Sequence, residues 1–531
     1  MKKTRTTAMV MAAVLCLGAA GLSGCTESQE SEPVQSGDSA TSFTYWCAIP
    51  STAIGTVQNM ADMPMYQELE KRTGVKIEFI HPAANQGNEQ FNLLIASQEY
   101  PDMMEHNWNS YPGGPDQAIN DNVIISLNDI MEQNAPNLTK QLKENSDYDR
   151  QSKTDNDYYY GFPSLNVDTY RCFGGLLIRK DWLDDLGLAV PETIDEWETV
   201  LRAFRDQKGA TAPFTEQARM FQMQIDNLHT FNTGFDTGKG FYLEDGKVKF
   251  AMFDQGYKDW IERMRQWYEE GLLDRDYSTN NATSIDAKMT GGESGACFGY
   301  VGSTIGKYMA AMEEQDPDYA LVAVPYPVKE KGGHARFAEL QPEANTPFVA
   351  ITTACENPEA AAQWLDYLYS DEGDLLKNYG VEGDTYTIEN GIPKYTDKIL
   401  HNPDGLSVSE AMATYFRANS PAPGFNQSNN YLDQYYQLDE QKEAIQIWNK
   451  DMDYVKQTML PPVTKTLEES EELSNILTEL QTYSEETILK FINGEEPMEN
   501  WDTFIQNLKD MQAERAVEIQ QNAVDRYLGR E

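Results

Sequence analysis

The stretch Asp62-Met63-Pro64-Met65-Tyr66-Gln67-Glu68-Leu69-Glu70-Lys71-Arg72-Thr73-Gly74-Val75-Lys76-Ile77-Glu78-Phe79-Ile80 sets the reading of the fold. Asp62 is placed to cap a helix that has Pro64 in its first turn, runs to Arg72 and is stopped by Gly74. Val75–Ile80 then alternates apolar and polar residues with period two, the pattern of a strand. Before this unit, Phe43-Thr44-Tyr45-Trp46-Cys47 reads as a short buried strand. After it, a helix over Asn88–Ser97 leads into Pro101-Asp102-Met103-Met104-Glu105, and Val123–Ser126 reads as a further strand. Alternating strands and helices predict an α/β lobe around a largely parallel sheet.

A second such lobe opens near Phe173, where Gly174–Ile178 is strand-like and runs into a short helix ended by Gly187. Thr193-Ile194-Asp195-Glu196 matches a capping box, in which Thr193 and Glu196 satisfy the first free N–H groups of the helix. Trp197, Val200, Leu201 and Phe204 then share a buried face, and a further helix is expected over Gln255–Glu270. Pro347–Ile351 is a strand that returns the chain to the first lobe. Asn357 caps the next helix with Pro358 at its first position, and Gly373 closes it. From Leu467 onward the pattern is helical to Leu528.

The other end of the chain bears on location. Lys2, Lys3 and Arg5 precede the mostly apolar run Ala8–Ala20, too short for a permanent membrane span, and small residues follow. That describes an export signal, residues 1–24. Leu22-Ser23-Gly24-Cys25 resembles the bacterial lipoprotein box, which implies lipidation of Cys25. Residues 25–42 are polar with almost nothing apolar, which predicts a disordered tether. Formal charge is −43, or −46 once Lys2, Lys3 and Arg5 are lost, a surface that repels nucleic acid and anionic lipid. Of six cysteines, Cys47, Cys172, Cys297 and Cys355 would remain as thiols, without Cys-x-x-Cys spacing. Buried free thiols are favoured over a disulfide pair or a metal site, and no cofactor is expected.

The order of these pieces resembles an ABC-transporter extracellular solute-binding protein, a carbohydrate-binding lipoprotein like those of family 1. Five segments carry the resemblance: Asp62–Ile80; Tyr160-Gly161-Phe162-Pro163; Leu177–Leu188 with Pro191–Phe204; Asn357–Gly373 through Gly383; and Phe491–Asp502 with Gln521–Leu528. The resemblance implies a two-lobe, type II periplasmic-binding-protein-like α/β fold with extra C-terminal helices. Lobe 1 is expected over 43–165 plus 347–400, and lobe 2 over 166–346 plus 401–531. Phe162–Asn166 and Pro347–Ile351 are the hinge candidates that it implies. Its partners would be an oligosaccharide, expected to be neutral, and the permease subunits of an importer. The membrane would be met through the lipid alone, on the extracytoplasmic face of a Gram-positive cell, by a monomer. Some relatives carry a calcium loop after the helix corresponding to Pro191–Gln207; here Lys208-Gly209-Ala210-Thr211-Ala212-Pro213 has no carboxylate, so calcium is not expected there.

A sugar cleft needs flat aromatic platforms and polar groups to bond a rim of hydroxyls. Trp46, and Asn107 with Trp108, follow predicted strands and are the leading candidates, against the alternative of core packing. Tyr160 is a candidate from the Tyr158–Tyr160 run, and Tyr300 lies where relatives bring an aromatic to the cleft. Tyr379, Glu382 and Tyr386 stand at a cleft edge or are structural, and Phe425 belongs to a loop over the site. An oligopeptide-binding lipoprotein is the nearest alternative, and a surface hydrolase of carbohydrate a further one. No nucleophile-elbow, zinc-protease or phosphate-loop motif occurs, so no enzyme is expected.

Overall fold

Apolar alternation decides the first strands: in Lys76–Ile80 only Ile77 and Phe79 are buried, whereas Gly174–Arg179 is buried throughout, as in a strand covered on both faces. The structure, a computed structural model, describes residues 41–84, 86–167, 170–223, 228–418, 421–426 and 429–530. The export signal, Cys25 and nearly all of the tether lie outside them. The strands that build the two main sheets are β1 (Ser42–Trp46), β2 (Lys76–Ile80), β3 (Met103–His106), β4 (Phe162–Asn166) and β5 (Gly174–Arg179). They continue with β6 (Phe214–Thr215), β7 (Ala296–Tyr300), β8 (Leu321–Ala323), β9 (Ala344–Ile351) and β10 (Gly424–Asn426).

The first sheet has the order β10-β4-β9-β3-β1-β2, and the second the order β8-β5-β7-β6. β1 is parallel to β2 and β3, while β9 runs antiparallel between β3 and β4. β3 and β4 are therefore parallel to each other, and β10 is parallel to β4. The carboxyl ends of β1, β3, β4 and β10 lie on one edge of the sheet, where β9 also begins. The chain leaves that edge after β4, enters the second sheet at β5, returns to it at β9 and leaves again after β10. In the second sheet β5 is antiparallel to β7 and β6 is parallel to β7, which puts Gly174, Thr215 and Tyr300 on one edge. This is a two-lobe, periplasmic-binding-like α/β fold.

Beyond β10, the helix Asp439–Trp448 packs on β8 and seats Trp448 over β5. A Cβ at Gly175 would stand 2.3 Å from the Trp448 indole nitrogen, which donates to the Val324 carbonyl at 3.1 Å; only glycine permits that approach. The helix Leu467–Asn493 then lies along the helix Gln255–Glu270, and the helix Ala513–Leu528 covers the Lys247–Phe250 strand of a small hairpin. The four thiols are free and buried. Among the described residues no helix is long and apolar enough to cross a membrane.

Several expectations are corrected. The segment 401–426 does not join the second lobe: β10 extends the first sheet, and the helix Val408–Tyr415 packs on the turn Ser51–Ala53. Three residues are too few to show a strand period. Phe162–Asn166 forms β4, and Pro347–Ile351 lies within β9, both in the first sheet. Asp62 ends a 3-10 turn and leaves the helix Pro64–Thr73 without a side-chain cap. Val123–Ser126 forms only a bridge from Ile124 to Thr352. Gly373 closes nothing: the helix Pro358–Asp366 ends earlier, and Gly373 sits in the first turn of the helix Asp371–Tyr379, donating its N–H to Ser370.

One buried ion pair ties the late segment to the first sheet. Arg417 meets Glu105 of β3 through two hydrogen bonds of 3.0 and 2.9 Å, and Tyr45 of β1 donates to the same carboxylate at 2.5 Å. Arg417 also donates to the Pro421 carbonyl at 3.0 Å, just before β10. Removing one partner strands the other charge in the core. Arg417→Ala is expected to lose about 3–5 kcal/mol in urea unfolding, whereas Glu105→Leu with Arg417→Met loses clearly less. Equal losses in both would show that the charges themselves are not what the core responds to.

Candidate functional site

Ligands of open α/β sheets sit outside the carboxyl ends of the strands, so the site is built from the edge where the crossings occur. On the first lobe, β1 ends at Trp46 and β3 at His106. Phe91, from the helix Gly87–Ser97, stacks on the His106 ring at 3.6 Å and meets Trp108 edge-on at 5.4 Å, and Trp46 meets His106 at 6.1 Å. Trp46 and Trp108 are 3% and 1% exposed, so they form a closed aromatic cluster and not open platforms. Among the described residues the Trp108 indole N–H has no hydrogen-bond partner. Burial pushes the His106 pKa down to about 4, so its ring is neutral at physiological pH. Its Nε2 lies 3.1 Å from the Ser110 hydroxyl, which donates to the Asn107 carbonyl at 2.7 Å. The Asn107 side chain accepts from the Asn109 N–H at 3.3 Å. The cluster thereby holds a rigid turn that presents exposed Asn107, Asn109 and Ser110.

That turn faces the helix Leu467–Asn493 across a cavity of about 720 Å³. Asn109, Ser110 and Tyr111 line one side; Ser470, Ser474 and Thr478, then Gln481, line the other. The helix owes its length to an apolar stripe, Leu473, Ile476, Leu480 and Ile488, set by a Thr466–Glu469 capping box and ended by left-handed Gly494. Ser470, Ser474, Thr478 and Gln481 lie roughly a quarter turn round from that stripe, and Leu473 of the stripe itself reaches the cavity. One turn beyond Gln481, Glu485 accepts from Gln222 at 3.2 Å, and burial raises its pKa. Gln222 follows β6, whose end carries the buried Glu216: this carboxylate accepts from the Gln217 and Phe298 N–H groups and lies 3.6 Å from Arg219. The cavity is therefore walled by the β3 turn and the long helix with the residue just before it, Lys465.

The other expected residues are scattered relative to this groove. Tyr160 is buried and stacks on Phe348 at 4.8 Å, within the first lobe. Tyr379 and Tyr386 are buried in an aromatic cluster with Tyr395, while Glu382 is exposed on the neighbouring turn. Phe425 is half-buried in β10, edge-on to Tyr369, and its carbonyl accepts from Lys377 at 2.6 Å. Tyr300 is half-buried at the end of β7, edge-on to Phe298. The polar face of the long helix went unread, although Ser470, Ser474 and Thr478 recur at spacing four in the sequence.

Comparison with known proteins agrees with the fold. The family model for bacterial extracellular solute-binding protein matches residues 57–375. The fructooligosaccharide ABC transporter substrate-binding protein FusA of Streptococcus pneumoniae is 28% identical over 331 residues, 60% of this chain and 60% of that relative's length. Lipoprotein LipO of Bacillus subtilis is 23% identical over 74% of this chain and 77% of its own. A solved HMO-binding, ABC-transporter-associated solute-binding protein from Bifidobacterium longum infantis superposes with a TM-score of 0.73 at 19% identity, covering 92% of this chain and 99% of that one.

The buried His106 makes the site sensitive to acid. Its folded pKa lies below the ordinary value of 6.5, so the unfolded chain binds the proton first as pH falls. The stabilisation is complete above 6.5 and is lost progressively down to about pH 4. Wild type should lose on the order of 3 kcal/mol more across that window than His106→Phe. Parallel curves from urea titrations at several pH values would show that His106 does not carry the effect.

Proposed function

The chain belongs to the bacterial extracellular solute-binding proteins, and we propose that it captures an uncharged oligosaccharide in the groove between the β3 turn and the long helix. The observation that carries this reading is the chemistry of the lining. Asn109, Ser110, Ser470, Ser474, Thr478 and Gln481, which carry hydroxyl and amide groups, line one cavity. Such groups match the donor and acceptor rim of a sugar, each bond adding little net energy while enclosure supplies selectivity. The helix Leu467–Asn493 carries seven glutamates, yet only Glu471 among them lines the cavity, with Lys465 of opposite sign at the same end. A ligand without net charge suits that balance.

The captured sugar is delivered to the permease of an ABC importer, a reading supported by the likeness to FusA, which is named as an ABC transporter substrate-binding protein. Lipidation at Cys25 would hold the protein on the outer face of the membrane, in keeping with Leu22-Ser23-Gly24-Cys25. The protein acts by binding and release, with no chemical change in the sugar.

A thermal-shift panel of neutral oligosaccharides, acidic oligosaccharides and peptides tests the reading. A neutral sugar at a hundredfold excess over its Kd should add about 2.7 kcal/mol of stability and be recovered intact by chromatography. Stabilisation by peptides alone would transfer the protein to the oligopeptide binders, and shortened sugar would make it a hydrolase. Separately, Cys25→Ala should move the protein from the membrane fraction into the medium; retention at the membrane would remove the lipid anchor.

A further inference from the structure

We propose that the groove takes a linear oligosaccharide of about three to four units laid along the long helix, with its end held by the Lys465 ammonium. This rests on the reading of function above and adds to it a length, a direction and a terminal contact.

The length follows from the helix. Ser470, Ser474 and Thr478 stand one turn above another and Gln481 follows, so the lining covers about three turns, or about 16 Å. A hexose in an extended glycan advances by roughly one helical turn, about 5 Å. Lys465, just before the helix, extends the lining by about one further unit. At the far end Gln481 is the last residue of the helix that lines the cavity.

The terminal contact follows from an unfilled donor. Lys465 lines the groove half-buried, and among the described residues no side chain or carbonyl accepts a hydrogen bond from its ammonium. The nearest carboxylates are engaged elsewhere. Asp155 accepts from Arg526 at 2.7 Å and from Arg530 at 2.6 Å, and Glu469 accepts from Arg526 at 3.0 Å. Burial, with the neighbouring Arg526 charge, lowers the Lys465 pKa against the pull of Glu469 and Asp155. A half-buried ammonium without acceptors is costly. The ring, hydroxyl or acyl oxygens of a terminal sugar would supply them. Glu471, lining the same end, offsets the positive charge, so an acidic terminal unit gains no advantage.

The test is calorimetry of the mature protein and its Lys465→Met variant with inulin-type fructo-, malto-, galacto- and xylo-oligosaccharides of two to six units, and with oligogalacturonides of the same lengths. Methionine keeps the apolar stem and removes the donors. In wild type, Kd for the neutral series that binds should fall stepwise to the tetrasaccharide and then level off. Lys465→Met should weaken the tetrasaccharide tenfold or more while leaving the disaccharide within twofold. Lys465→Arg, which keeps a donor, should restore part of the loss. A Kd already level at the disaccharide, or tightening still at six units, overturns the length. Equal weakening of short and long sugars makes Lys465 structural, and unchanged affinity removes it from the site. Tighter binding of oligogalacturonides than of every neutral series overturns the uncharged class. Absence of binding by any sugar takes the proposed function down as well, an outcome distinct from the others.

Discussion

The constraint on which the molecule depends is the direction of one strand. Because β9 runs antiparallel between β3 and β4, every passage of the chain between the sheets falls on the carboxyl edge of the first. That edge is also where β1 and β3 release their ends, so the crossings and the wall of the cavity are parts of one line of backbone. The Glu105–Arg417 pair secures the line from inside, joining the end of β3 to the segment that becomes β10. Such a pair adds less net stability than its short distances suggest, since both ions lose water. Its firmer effect is on register: Arg417 can meet Glu105 and the Pro421 carbonyl together only when β10 lies beside β4.

Local signals were legible wherever a motif satisfies itself within a few residues. The Thr193–Glu196 box, the helix Gln255–Glu270 and the Asn357 cap with Pro358 stand as the sequence implies. Expectations failed where a distant partner decides. Gly373 reads as a helix stop, yet a Cβ there would lie 2.0 Å from the Tyr367 carbonyl, so the glycine serves a tight junction between two helices. Asp62 is a good cap residue placed one step early, because the preceding turn takes it. β10 has three residues and exists through its pairing with β4 alone.

The site divides in the same way. Sequence placed Trp46, Asn107 and Trp108 at strand ends, and the structure gathers them there, but burial of the two indoles assigns them to supporting the turn. Large aromatics lower the free energy most when enclosed, and nothing in a single sequence separates a ring that packs from one that awaits a ligand. Tyr379 and Tyr386 show the point again, filling an aromatic core behind exposed Glu382. Polar groups are better markers, since exposed hydroxyls on a helix bring it no stability of their own.

The long helix makes that argument quantitative. Ser, Thr and Asn are weaker helix formers than Ala by roughly 0.5 kcal/mol each, and Ser470, Ser474, Asn475 and Thr478 all stand on its exposed side. Packing of Leu473, Ile476, Leu480 and Ile488 into the second lobe outweighs them. A helix whose only task was to cover that lobe would be more stable with Ala, Glu or Lys at the same positions. Glutamates do occupy its solvent side, at 468, 472, 479 and 486. Short hydroxyl and amide side chains are concentrated instead where the helix faces the β3 turn. The rotation of about 100° per residue fixes the two faces relative to each other, so the contacts that bury the apolar stripe also aim the polar one into the cavity. Cavity lining and structural support are in this way the same helix, and neither can shift register without the other.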